Sequence, residues 1–212
     1  MSAPGLHGFV LALSLIAAIG AQNAYVLRAG VARRHVGAVA ALCIASDAVL
    51  MSAGTAGFGA LVTARPGLLA AVTGVGVAFL IGYGALALRG AVRGIRALRA
   101  GAAAGLAADA GAGAGGLGAA LAGAAAVTWL NPHAYLDTVV FVGSVAAAQG
   151  PDRWVFTAGA VAASATWFTA LAAGARAAAP WLARPRAWVA VDALTGVVML
   201  LLAWRIGAGL WW

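Results

Sequence analysis

The sequence predicts an all-α polytopic membrane protein, with six transmembrane helices arranged as two inverted three-helix repeats and a broken helix at Asn131-Pro132. Three observations carry that expectation. Of 212 residues, 64% are hydrophobic and 8% charged, with a mean hydropathy of +0.99; soluble domains are about 45–50% apolar and about 25% charged. The arginines cluster between long apolar runs, where basic residues set membrane orientation. The run from about Leu117 to Ala148 exceeds the roughly 20 residues of one simple span and carries TWLNPHAYLD, Thr128 to Asp137, at its middle.

The first apolar stretch, about Leu6 to Leu27, has no Lys or Arg before Arg28. It therefore lacks the charged n-region of a secretory signal and is expected to be span one. Arg28, Arg33, Arg34 and His35 form the first loop. Span two covers about Gly37 to Val62, with Ser46-Asp47 near its middle. Arg65-Pro66-Gly67 turns the chain into span three, about Leu68 to Leu88.

Arg89, Arg93, Arg96 and Arg99 then mark one face of a helix continuing beyond the membrane, suited to lipid headgroups. Gly101 to Gly116 is a low-complexity Gly/Ala linker. Span four is the broken one. Span five follows from about Trp154 to Ala175, then a loop with Arg176, Pro180, Arg184, Pro185 and Arg186. Span six covers about Trp188 to Trp204. The resulting units are residues 1–88, a basic helix and linker at 89–116, and residues 117–212.

At the break, Pro132 lacks an N–H and clashes with the preceding turn, while Asn131 is a favourable N-cap. One helix should end near Trp129 and another start at Asn131. Backbone broken at membrane depth survives only where it is buried in protein or lines a cavity. His133 and Asp137, four apart, fall on one face of the second half. An intramembrane carboxylate costs about 2.5–3.5 kcal/mol on insertion scales. The acidic residues within spans are Asp47, Asp137 and, shallower, Asp192, which could pair with Arg184 or Arg186.

Orientation follows from the arginine distribution. Arg28, Arg33, Arg34, Arg89, Arg93, Arg96, Arg99, Arg176, Arg184 and Arg186 fall on one side, and Arg65, Arg153 and Arg205 on the other. The rule places both termini outside and the linker in the cytoplasm. The net charge of +8 is explained by this pattern and implies no nucleic-acid partner. Cys43, the sole cysteine, excludes an intrachain disulfide. No nucleophile–base pair, metal-ligand cluster or phosphate loop stands out, so no enzyme activity, metal or cofactor is expected.

Short matches relate the halves: Gln22-Asn23-Ala24-Tyr25 with Pro132-His133-Ala134-Tyr135, and Ala71–Val75 with Ala193–Val197. Three spans per unit force the second to be inverted, a common transporter plan.

In GAQNAYVLRAGVARRH, ASDAVLMSAG and TWLNPHAYLDT the chain resembles the bacterial lysine/arginine exporter family (LysE/ArgO type) over nearly its whole length. The resemblance implies export of basic amino acids across the inner membrane, driven by the proton gradient or membrane potential. Where the family often has Pro before Gln-Asn, this chain has Ala21, which leaves open whether span one is broken.

On that reading, Asn131, Pro132 and His133 mark a helix end able to receive a substrate carboxylate. Asp47, Asp137 and Asp192 are candidates for its cationic groups, and Gln22 and Asn23 for hydrogen bonds to substrate or to a helix break. His133 with Asp137 could couple protons. The partners are arginine or lysine and the lipid bilayer, with a homo-oligomer left open. The alternatives are export of a neutral amino acid or metal cation on the same fold, and a non-transporting membrane scaffold.

Overall fold

The computed structural model describes residues 3–17, 20–33, 35–58, 66–100, 116–182 and 184–208, and these are helical apart from short connections. Helices α1 (Ala3–Ile16) and α2 (Ala21–Val31) come first. Helix α3 (Val36–Ala53) continues into a π-helical turn, Gly54–Phe58, and Gly57 at φ 102° ends it in a conformation that only glycine adopts without strain. Then follow α4 (Pro66–Arg99) and α5 (Leu117–Trp129). Helix α6 runs through Pro132–Ala134, a π-helical stretch Tyr135–Val142 and Gly143–Ala148. The last two are α7 (Arg153–Leu182) and α8 (Pro185–Ala208).

Four segments are long and apolar enough to cross a membrane alone: Val36–Phe58, Gly74–Arg99, Gly150–Pro180 and Val189–Ala208. A fifth forms if α1 and α2, whose axes differ by 76°, are taken together. The expected sixth corresponds to α5 with α6. At 1.5 Å per residue, α5 is roughly 20 Å long and α6 roughly 26 Å, each short of a bilayer's hydrocarbon core.

Several boundaries differ from the sequence expectation. Span one is not a single helix from Leu6 to Leu27 but the bent pair α1/α2. Arg28 lies in α2 rather than in a loop; beyond that helix Arg33 and His35 take left-handed φ values of 53° and 54°. Helix α7 runs past Ala175, taking Arg176 and Pro180 into its last turns. The four-arginine face sits, as expected, on an unbroken helix: α4 carries Arg89, Arg93, Arg96 and Arg99, all exposed. Arg34, Arg65, linker residues 101–115 and Trp211-Trp212 lie outside the described residues.

Helix α7 is central, touching α1, α2, α3, α6 and α8; the most extensive pairings are α4 with α8 and α1 with α7. Lipid offers no hydrophobic drive between helices, so close backbone approach and side-chain hydrogen bonds must hold them. Both are present. A Cβ on Gly8 would run into the Phe156 carbonyl, and one on Gly159 into that of Gly5. In α3, Gly54 leaves room for the Val139 carbonyl of α6. Buried Thr55 and Thr157 join α3 to α7 through hydroxyls 2.6 Å apart.

This packing makes Gly159→Ala costly. The added methyl forces α1 and α7 apart and should destabilise the protein by about 1–3 kcal/mol. Gly174→Ala, where a Cβ meets open space, should not lower stability. Thermal unfolding of the two purified variants in one detergent checks the contrast.

Candidate substrate site

Two helix starts interrupt expected spans. The first is at α2. Gly20 is extended (φ −128°, ψ 176°) and accepts from the Ala24 N–H, and no side chain caps the helix. Ala21 is fully buried, in a cluster with Leu80, Val127 and Met199. The break holds without a proline because side chains satisfy it. The Asn23 amide donates to the Ile16 carbonyl at the end of α1 (2.7 Å), and its oxygen accepts from Trp167 Nε1 of α7 (3.1 Å). Asn23 thus links the end of α1 to α7 across the break.

The second start is at α6, where the Asn-Pro pair placed it. Helix α5 stops at Trp129, and Asn131 Oδ1 accepts from the His133 N–H at 3.1 Å. That bond occupies an N–H a substrate carboxylate would otherwise use. Trp129 ties the break to α3, its Nε1 donating to Ser46 Oγ (3.0 Å) while Tyr135 donates its hydroxyl to the Trp129 carbonyl (2.8 Å).

Asp47 lies next to Ser46 on α3 and is 4% exposed. Ser164 of α7 donates its hydroxyl to Asp47 Oδ2 at 2.6 Å. Gln22, in the first turn of α2, turns its buried amide toward Asp47 and Cys43. Among the described residues no cation pairs with Asp47. A buried carboxylate without a counter-charge is costly, and a cationic ligand beside it relieves that cost.

The other two carboxylates have different surroundings. Asp137 lies 3.5 Å from His133 Nε2, the contact expected from their spacing, but these side chains are 33% and 60% exposed respectively. Asp192 is buried and pairs with Arg28 of α2 at 3.3 Å, not with Arg184 or Arg186. The structure therefore brings Gln22 and Asp47 together, keeps Asn131, His133 and Asp137 around the second break, and joins Asp192 to α2. Ser164, Trp129, Trp167 and Arg28 were not foreseen at these positions. Serine and tryptophan within apolar spans were the only hints.

Apolar helices, two expected spans of which are interrupted, surround a buried carboxylate, a plan that membrane transporters use. The chain belongs to the LysE type translocator family, whose model matches residues 13–209. It is 41% identical over 210 residues (99% of this chain, 98% of the relative) to a protein named "Putative amino-acid transporter YggA" from Aeromonas salmonicida. It is 42% identical over 190 residues (89% of each chain) to "Putative amino-acid transporter Mb0498" of Mycobacterium bovis and to "Putative amino-acid transporter MT0507" of Mycobacterium tuberculosis. No solved structure matches significantly.

Proposed function

We propose that the protein exports basic L-amino acids, arginine or lysine, from the bacterial cytoplasm across the inner membrane, driven by the proton gradient or membrane potential. The observation that carries this reading is Asp47: an intramembrane carboxylate, 4% exposed, with a serine but no cation beside it. Such a group recognises a positive charge, which a basic amino acid carries on its side chain as well as on its α-ammonium. The substrate carboxylate is received at the start of α2, where no side chain covers the first N–H groups and the helix dipole favours an anion. The Gln22 amide beside it donates to the same substrate. The relatives' amino-acid transporter names agree with this class of cargo.

Asp47 is buried in this conformation, so release of a bound cargo requires the bundle to rearrange. The pairing of helices supports two inverted three-helix units as the moving parts. The contact of α1 with α7 has a smaller counterpart in that of α5 with α3, and α4 pairs with α8, the two helices that would correspond. In this reading His133 and Asp137, 3.5 Å apart at the second break, are the proton-coupling pair.

The test loads cells with dipeptides containing arginine, lysine or leucine and follows efflux of each free amino acid with and without the gene. Faster efflux of arginine or lysine, with leucine unchanged, is expected; leucine efflux rising equally contradicts a cation site. Orientation has its own check. Single cysteines between Gly101 and Gly116 should react in intact cells with permeant maleimides only. Labelling by an impermeant maleimide there overturns a cytoplasmic linker.

A further inference from the structure

Arg28 and Asp192 join the two halves of the chain inside the bundle. Arg28 lies near the end of α2, and its Nη2 sits 3.3 Å from Asp192 Oδ1 on α8. The Asp192 side chain is only 8% exposed, yet Oδ1 makes no hydrogen bond, so the contact is a charge pair without the paired N–H···O geometry that a guanidinium can offer. The carboxylate has dedicated space. A Cβ on Gly90 of α4 would stand 2.6 Å from Asp192 Oδ2, so glycine there lets the acid lie against the helix. Arg28 Cζ also lies 5.9 Å from the centroid of the Tyr83 ring, itself packed against Tyr25 and Phe79. A guanidinium is thus held between a buried carboxylate and an aromatic face, surroundings that would suit the side chain of a basic amino acid equally well.

We propose that Arg28 is a tethered stand-in for the cargo cation: it occupies Asp192 in this conformation, and the side chain of an incoming basic amino acid displaces it, opening the α2–α8 latch only when cargo is present. The proposal rests on the reading of a basic cargo. The imperfect contact is what makes exchange feasible. A free guanidinium can approach both carboxylate oxygens in its plane, whereas Arg28, fixed to α2, meets one of them without a hydrogen bond. Arg28 retains 29% exposure, so its charge has access to solvent or headgroups once released. Because Arg28 belongs to the broken first span and Asp192 to the last, exchange of the cation uncouples two helices that now move together.

Arginine binding to purified protein by calorimetry, with thermal stability in parallel, tests the latch in three variants. Arg28→Gln removes the competitor and should tighten arginine binding about fivefold or more. Asp192→Asn should weaken it about tenfold or more. The exchange Arg28→Asp with Asp192→Arg rebuilds the ion pair and should restore stability without restoring arginine affinity. An ion pair that only holds helices together gives the opposite pattern: no tightening in Arg28→Gln, and an exchange variant that recovers both stability and binding. Either result overturns the proposal. Should Arg28→Gln fail to fold, Arg28→Lys, whose ammonium holds the carboxylate at one point, must still bind arginine more tightly than the unmodified protein. Arginine binding by the unmodified protein separates the two ideas: its absence defeats the basic-cargo reading and the latch with it, while binding that Arg28→Gln leaves unaltered defeats the latch alone.

Discussion

Asp47→Asn is expected to leave insertion and folding intact and to reduce arginine efflux by about tenfold to a hundredfold, the value of a hydrogen bond to a charged group. The substitution is nearly isosteric. Ser164, which now donates to Oδ2, can donate equally to an amide oxygen, so the contact between α3 and α7 persists. Only the charge is lost, and removing it also relieves the cost of holding a carboxylate at 4% exposure. A protein that is as stable as before, or more so, and does not transport is the signature of a group retained for its ligand. Ser164→Ala should have a smaller effect, since it removes a positioning contact and leaves the charge. Efflux at matched membrane expression distinguishes them, and normal efflux from Asp47→Asn returns this residue to a structural role.

The second large effect is expected where α5 meets α6. Replacing both Asn131 and Pro132 by alanine restores one N–H, removes the proline ring and deletes the cap on His133. A continuous helix then becomes more favourable by up to about 3 kcal/mol from the proline alone. The cost falls on geometry. Trp129, at the end of α5, holds Ser46 on the helix of Asp47, and Tyr135 holds the Trp129 carbonyl. Straightening the chain turns Trp129 away from both. The double variant should therefore be folded and at least as stable, with arginine efflux reduced to a small fraction. Agmatine, which keeps the guanidinium and lacks the carboxylate, should be a poor substrate of the unmodified protein because it cannot use a helix start. Undiminished arginine efflux by the double variant, with agmatine exported equally well by either form, contradicts a site built on broken helices.

The two breaks show what a sequence of this composition discloses. Asn131-Pro132 was legible because proline and an N-cap act within a few residues of themselves, whatever surrounds them. The break before Ala21 was left open, because this chain has no Pro there. The residue that stabilises the interruption, Asn23, does so by reaching back to Ile16 and across to Trp167. Gly20 followed by two amides was a visible signal, but amides inside a span serve equally well as glue between helices.

Tertiary pairings were out of reach for the same reason. Arg28 stood at the edge of an apolar run and was assigned to a loop, because nothing local shows that α2 extends to Val31 or that Asp192 lies opposite. Asp192 has Arg184 and Arg186 nearby in sequence, yet its counter-ion comes from the other half of the chain. The π-helical stretch Tyr135–Val142 was equally invisible. It packs against Gly54 at Val139, a contact between distant parts of the chain. Asp47 was found by burial cost, which names the residue and says nothing of its neighbours.

The most direct measurement is the ligand-induced shift in thermal unfolding of the purified protein and of Asp47→Asn. A ligand that binds the folded state stabilises it by RT ln(1 + [L]/Kd), about 2.7 kcal/mol at a hundred times Kd. Arginine or lysine should raise the unfolding temperature of the unmodified protein in a concentration-dependent way. Norleucine, with an uncharged side chain of similar length, should not, and the shift should vanish in a folded Asp47→Asn. A norleucine shift as large as that of the basic amino acids, or a full arginine shift in Asp47→Asn, would contradict a cation site at Asp47.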